Sequence, residues 1–485
     1  MTISLKEYSA LDGLGVAALI AKGDLSAREA ATTAARAIAA VNPEVNAVVE
    51  TYGDRIEGLD EGSLGTGPFR GVPFLMKDVF GHEGGRKIEL GSRLCADMVA
   101  DQDSHFCTLL KAAGVNIIGR SAAPEYSMAG STEGALYGNT SNPWKKGYSA
   151  GGSTGGGQAA VTSGMVPIAH GSDIGGSIRI PASWCGGVGL KPSRGRISFG
   201  PAVDENGFGL AMNFMQAKSV RDAAAMLDCL AIPQPGDPFL IPKPDRPYAE
   251  IAKAPAKPLK IGMTLKPLLG VAVDPEVAEA VKATARTLAD MGHEVVVHDP
   301  QLDGGIERLK KFMDVWFFGF DARLAGYAQK TGRSIGPDTL EPVVYKIYEH
   351  ACRLKAADFF AAIAEVNAMR RQLGAFYSTC DIWLSPMTPR VAEPWGNYNL
   401  GRSDVTMDEV AEKLYAVPCQ YSVPHNIMGT PAISLPLAQH SSGLPIGVQL
   451  AGRPASEHLL LQLATSLEQA MPWAARVPPM HASHH

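Results

Sequence analysis

Residues 148–192 read YSAGGSTGGGQAAVTSGMVPIAHGSDIGGSIRIPASWCGGVGLKP, and the reading of the whole chain turns on this stretch. It holds two serines in glycine surroundings, Ser153 in GGSTGGG and Ser177 in GSDIGGSIR. Glycine lets a backbone take left-handed conformations and approach a ligand closely. A run of amides with little side-chain bulk is also what stabilisation of an oxyanion needs. Asp173-Ile174-Gly175-Gly176-Ser177 supplies such a run beside a hydroxyl. Taken alone, the same residues equally describe a glycine-rich turn carrying a solvated serine.

A serine hydroxyl is a weak nucleophile until a base takes its proton. His170 is the nearest histidine in sequence, and no aspartate–histidine pairing stands out. The other candidate is Lys77, near the end of GVPFLMKDVF (71–80), an apolar run that reads as a buried strand meeting something polar. Desolvation at such a strand end lowers a lysine's pKa and favours the neutral amine, which can act as a base. The competing reading is a snorkelling strand-end lysine paired with Asp78.

Outward from these motifs, apolar strand-like runs alternate with helical patterns, which predicts an α/β class. Two helices are expected over 5–41, the second opened by a Ser26/Glu29 capping box and stopped by Asn42 and Pro43. Strands are expected in 45–52, 71–80, 115–120, 259–265, 293–299, 381–386, 430–436 and 444–452, and helices in 104–113, 219–230, 274–292 and 456–470. Residues 305–375 read as mostly helical and rich in aromatics. Residues 121–203 are dense in Gly, Ser and Pro, too long for an ordinary connection, and read as a functional loop system. Eight prolines within 232–258 read as a connector.

The chain has 485 residues, 46% hydrophobic and 19% charged, enough to bury a large core. A net charge of −5 with no polybasic run gives no footprint for nucleic acid. Seven scattered cysteines without a CxxC pair predict reduced thiols rather than a disulfide framework or zinc site. No signal-peptide core or membrane-length apolar run is present, so the expectation is a cytoplasmic protein without membrane contact. The ASHH tail reads as a disordered end. No metal-ligand set and no cofactor motif appear. The expected partner is a small molecule, and the expected state a monomer or homodimer.

The stretch 148–192 resembles the signature of the amidase-signature family, whose hallmark is GGSSGG followed by G(S/T)D(T/I)GGSIR-P and CG-VGLKP. This chain reads GGSTGG, GSDIGGSIRIP and CGGVGLKP, with the two serines spaced as in the family pattern. GVPFLMKD resembles the family's GVP-x-x-x-KD strand, and NTSNPW (139–144), GTPAISLP (429–436) and GLPIGVQLAGRP (443–454) extend the likeness over nearly the whole chain. The resemblance implies that Ser177 is an acyl nucleophile, that Ser153 is a bridging serine following a cis peptide bond, and that Lys77 is the base. It assigns the oxyanion hole to the amides of Ile174, Gly175 and Gly176. It implies one α/β/α domain over 1–485 with a large mixed central sheet. The signature core would span about 70–200, with a helical segment of about 305–375 near the pocket mouth. The reaction implied is hydrolysis of carbon–nitrogen amide-like bonds in small neutral substrates: amides, anilides or carbamates (urethanes).

Thr154 replaces the second serine of the GGSS run, keeping a hydroxyl, and Gly157-Gln158 replaces the small residues usual there. Asp173 and Arg179 match the signature and are expected to hold the nucleophile loop through charge-assisted hydrogen bonds. The substrate pocket is expected to draw on Glu125, Tyr126, Ser127, Met128, Ala129 and Gly130, and on the aromatic segment 312–348. GGSTG also satisfies the G-x-S-x-G nucleophile elbow of α/β-hydrolases, but that elbow follows an apolar strand and NPWKKGYSA is polar. A glutamine amidotransferase A-type subunit shares the signature, yet usually carries Gln where this chain has Ile180.

Overall fold

The apolar runs converge on one mixed sheet. A computed structural model describes residues 3–485. The strands of the sheet are β1 (Val48–Thr51), β2 (Pro73–Lys77), β3 (Asn116–Ser121), β4 (Ile168–Asp173), β5 (Val188–Lys191), β6 (Met212–Ala217), β7 (Lys260–Met263), β8 (Glu294–Val297), β9 (Ile382–Pro386), β10 (Ala432–Gln439) and β11 (Pro445–Gly452), beside two small two-stranded ribbons within 133–149. They form an eleven-stranded sheet in the order β1-β3-β2-β4-β6-β5-β10-β11-β9-β7-β8. β3, β2 and β4 run parallel to one another, as do β9, β7 and β8. The remaining pairs are antiparallel, so the sheet is mixed, as the α/β reading requires. β2 to β6 and β11 are buried along their whole length, which suits uninterrupted apolar runs, whereas the edge strands β1 and β8 are partly exposed.

Helices cover this sheet, and several begin where the sequence places them. Ser26 caps Ala27–Val45 in a reciprocal capping box with Glu29. Ser104 and Ser219 cap His105–Ala113 and Val220–Leu230. The segment 305–375 folds as four helices, Gly305–Phe317, Phe320–Thr331, Pro342–Ala351 and Ala356–Gly374.

Four local expectations need correction. The first 45 residues hold three helices, because Asp12 accepts from the Gly15 amide and starts a new helix at Gly13 after Leu5–Ala10. Asn42 and Pro43 do not stop the third one. It runs to Val45 and closes on Asn46 at φ 53°, while the Asn42 side chain accepts from the amides of Ala47 and Val48. The glycine-rich stretch 121–203 is not only loop, since it contains β4, β5 and the helices Gly155–Thr162 and Arg179–Cys185. The tail packs rather than trails, with Ala482 buried and its amide donating to Ser163 O.

The helix Gly155–Thr162 defies propensity, since each opening glycine costs about 1 kcal/mol relative to alanine. Packing explains it. A Cβ on Gly156 would lie 2.5 Å from Ala122 N, and one on Gly155 2.4 Å from Thr132 Oγ1. Only a bare backbone lets this helix sit against its neighbours.

The end of β2 is anchored by a buried charge cluster. Arg120 on β3 donates to Glu89 at 2.6 Å, to Glu50 at 2.7 Å and to Asp78. Tyr137 Oη bonds Asp78 and Glu89 at 2.8 and 2.7 Å. Asp78 thus pairs with Arg120, and the lysine–Asp78 pairing open at the sequence level does not form. Removing one member of a buried ion pair leaves its partner uncompensated and costs about 3–5 kcal/mol. Arg120→Met should therefore lower unfolding free energy by that order in urea titration. A loss below about 1 kcal/mol, the scale of an exposed pair, would show that the cluster does not anchor the strand.

Candidate active site

β2 and β4 are adjacent and parallel, with Leu75 opposite Ala169. Their carboxyl ends therefore emerge side by side, the place where open α/β sheets hold their ligands. Lys77 is the last residue of β2, and Ser172 is the penultimate residue of β4. Lys77 Nζ lies 2.8 Å from Ser153 Oγ and 2.8 Å from Ser172 Oγ. The lysine is 1% exposed and has no carboxylate within ion-pair distance among the described residues. Burial holds its pKa well below the ordinary lysine value, opposed by the Asp173 carboxylate.

Asp173 cannot serve as a close counter-ion because its oxygens are committed elsewhere. It accepts from Arg179 Nε and Nη2, both at 2.9 Å, from the amides of Gly176 and Ile178 at 2.8 and 3.2 Å, and from Asn426 Nδ2 at 2.9 Å. Burial alone would raise its pKa, but the Arg179 guanidinium and these hydrogen bonds hold it at about 2. Arg179 also donates to Gln449 Oε1 at 2.8 Å and to Ser422 O at 3.0 Å. The turn 174–178 is thus braced from its own strand and from the C-terminal part of the chain.

Ser177 sits in that turn, half-buried, and its hydroxyl makes no hydrogen bond among the described residues. Ser153 stands at the mouth of the helix Gly155–Thr162, after a cis Gly152–Ser153 peptide bond. Thr154 Oγ1 reaches Ser172 O at 3.3 Å and accepts from Ser172 N at 3.4 Å. The threonine thereby holds the strand that carries the second hydroxyl next to Lys77. The amides of Ile174 and Gly175 donate to no other protein atom among the described residues, whereas that of Gly176 is taken by Asp173. Gly176 itself adopts φ 129°, and a Cβ there would lie 2.5 Å from Ser422 Oγ.

His170 lies behind the cluster, fully buried. Its Nδ1 accepts from Lys77 N at 3.2 Å and its Nε2 faces Asn213 Oδ1 at 3.3 Å, so Nε2 carries the proton. Burial pushes its pKa down to about 3, so the ring stays neutral. Both nitrogens are occupied by structural bonds.

Above the cluster opens a cavity of about 600 Å³, lined by Ser153, Ser172, Ile174, Gly175, Ser177 and Ile180 on the signature side. Tyr126, Ser127, Met128, Ala129 and Gly130 form part of its wall, and Trp316 to Phe320 another part. Glu125 does not reach it. That carboxyl turns the other way, accepting from Ser92 Oγ at 2.5 Å and from Glu341 N at 2.8 Å, and burial raises its pKa to about 8. Tyr126 and Ser127, at φ 49° and 60°, are what this anchor presents to the cavity. Sequence reading passed over Ser172, although it stands in the quoted GSDIGGS motif. It also passed over Phe80, Phe199, Phe208, Tyr415 and Cys419, which carry no local signal. No group of metal-ligating side chains occurs among the described residues, and no helix there is long and apolar enough to cross a membrane.

The chain matches known proteins along most of its length. The family model described as Amidase matches residues 29–461. The chain is 35% identical to the 6-aminohexanoate-cyclic-dimer hydrolase of Paenarthrobacter ureafaciens over 483 residues, covering 97% of this chain and 96% of that protein. It is 30% identical to an acylamidase of Rhodococcus erythropolis, covering 96% and 97%. A solved structure of 6-aminohexanoate cyclic dimer hydrolase complexed with substrate matches with a TM-score of 0.91 at 34% identity, over 97% of this chain and 99% of that one. With the signature motifs on adjoining strand ends and a family match over most of its length, the chain belongs to the amidase family.

Proposed function

We propose that this protein hydrolyses carbon–nitrogen amide-like bonds of small, largely apolar substrates through an acyl-enzyme on Ser177. The observation that carries the reading is the dry, unpaired Lys77 amine held 2.8 Å from two hydroxyls at the floor of a cavity that also contains Ser177. A neutral amine offers one lone pair and two N–H bonds. It can donate to Ser172 and accept from Ser153 at the same time.

In the proposed mechanism Ser177 Oγ attacks the substrate carbonyl as its proton passes to Ser153 Oγ, and the Ser153 proton passes to Lys77 Nζ. The carbonyl π electrons move to oxygen, where the amides of Ile174 and Gly175 can donate to the oxyanion. The relay then runs backwards. Lys77 returns its proton through Ser153 to the leaving nitrogen, the C–N bond breaks, and water cleaves the acyl-enzyme to release the acid and Ser177. The Gly176 amide joins the oxyanion hole only by sharing its hydrogen with Asp173.

Aromatic and aliphatic groups dominate the cavity wall, which suits an apolar substrate body; of its charged residues Lys330 is paired with Asp101 at 2.7 Å, while Arg323 and Glu205 make no ion pair among the described residues. The likeness to a cyclic-dimer hydrolase and an acylamidase supports amides and anilides, and carbamates share the same carbonyl–nitrogen bond. A cytoplasmic enzyme acting without a partner subunit is part of the same proposal.

Three substitutions test it. Ser177→Ala should abolish release of amine from a p-nitroanilide and covalent labelling by a fluorophosphonate; retention of both would remove Ser177 from the chemistry. Lys77→Ala should cut kcat/KM by about 10²- to 10⁴-fold, the usual contribution of a general base. Lys77→Arg, permanently charged, should be no better. The pH dependence has a definite sign. The reactive neutral amine is present above Lys77's lowered pKa and is lost as pH falls through it, so kcat/KM should decline on the acid side. The residual rate of Lys77→Ala should lack that decline; an unchanged acid limb in the variant would assign the titration to another group.

A further inference from the structure

Aromatic side chains lead out of the cavity onto the protein surface. Phe208 and Phe318 line the cavity. Phe359, in the first turn of Ala356–Gly374, stacks on Phe318 at 4.5 Å and packs on Phe208 at 4.7 Å. Phe360 follows at 5.8 Å from Phe359 and is 68% exposed. Phe208 is 47% exposed, and Val203 and Val99, also on the cavity wall, are 44% and 41% exposed. Isolated exposed apolar residues are ordinary, but a connected set that starts inside a cavity marks a binding surface.

The backbone supports this reading independently. Gly207, Phe208 and Gly209 all have positive φ, 57°, 53° and 77°. Left-handed backbone suits the two glycines but is an outlier for a bulky residue, and such strain is concentrated at ligand-contacting sites. The turn holds Phe208 against Phe359, at the boundary between cavity and solvent.

We infer that this aromatic track is an exosite for the apolar arm of the substrate, so that the preferred substrates are amides or carbamates with an alkyl or aryl arm too long for the cavity. The inference rests on the amide-hydrolase reading of the same site. The occupant is the substrate's own arm because the track is continuous with the cavity wall. A net charge of −5 disfavours adsorption to an anionic lipid surface.

The test is a chain-length series: p-nitroanilides from acetyl to decanoyl, and N-alkyl acetamides over the same lengths, so that either arm is sampled. Wild type is compared with Phe360→Ser, at an exposed position, and with Phe208→Asn, which suits left-handed backbone. Wild-type kcat/KM should rise with length in one of the series. Both variants should lose about tenfold on its longest members, through KM, and Phe360→Ser, outside the cavity, should stay within about twofold on acetyl substrates, as expected from losing contact with a few methylenes. Equal losses at all lengths in Phe360→Ser, or none at any length in either variant, would overturn the exosite. So would a change of oligomeric state on gel filtration, which would show a second copy covering the track, or loss of binding to phosphatidylglycerol vesicles, which would show a lipid there. Silence of the wild type on every substrate, with Ser177 unlabelled by fluorophosphonate, would sink the amide-hydrolase reading and the exosite with it. Acetyl turnover with unchanged length dependence would sink the exosite alone.

Discussion

The removal of Lys77 from water is the constraint on which the rest of the site depends. A lysine in a dry setting sheds its proton unless a carboxylate compensates it. The carboxylates placed to compensate it are Asp78, next in sequence, and Asp173, on the adjacent strand, and each is drawn to a different arginine. Arg120 takes Asp78 to one side of the strand end, and Arg179 takes Asp173 to the other. Both ion pairs are fully buried and multiply hydrogen-bonded, the form in which such pairs are tolerated in a core. Two arginines thereby leave the buried lysine without a carboxylate partner, and its pKa stays lowered.

The same pairs fix position. Arg120 ties β2 to β3 at the level of Lys77, and Arg179 ties the turn after β4 to Gln449 on β11 and Asn426 from the C-terminal part. Ser153 comes from a separate segment, set by a helix whose glycines press against the backbone of Ala122 and the side chain of Thr132. Elements distant in sequence are brought to one point with little room for adjustment. Electrostatics and steric closeness make the same demand here, which is the consistency expected of a well-specified structure.

How much of this was legible in the sequence follows from the range of the forces involved. Strand runs such as PFLMK and DIWLSP and caps such as Ser26/Glu29 are local, and they read correctly, whereas the strand IAHGSD was hidden in a stretch whose Gly, Ser and Pro content reads as loop. Pro43 misled because a proline near the last turn removes one hydrogen bond without ending a helix that Asn42 and Asn46 cap further on. The run of glycines at 155–157 looked like loop because close packing, not propensity, makes it helical. Lys77, Ser153 and Ser177 stood out through the motif, and Ser172 stood inside it without attracting notice. Glu125 pointed away from the cavity because its partners, Ser92 and the Glu341 amide, come from remote segments that no local pattern connects to it. The cavity wall was the least legible part: its aromatic residues look like any core residue until the fold leaves them uncovered.

The cavity wall and the lysine cluster share almost no hydrogen bonds. Lys77 is held by Ser153, Ser172 and His170, and none of the aromatic wall residues takes part. Much of the wall comes from helices that follow β8 in sequence, whereas the cluster sits on β2, β4 and the turn between them and their helices. Substitutions in the wall therefore leave the hydrogen bonds of the reactive floor in place, except where a wall residue packs on the signature turn, as Trp316 does at Gly175. A scaffold built this way can change the shapes it accepts while keeping one chemistry.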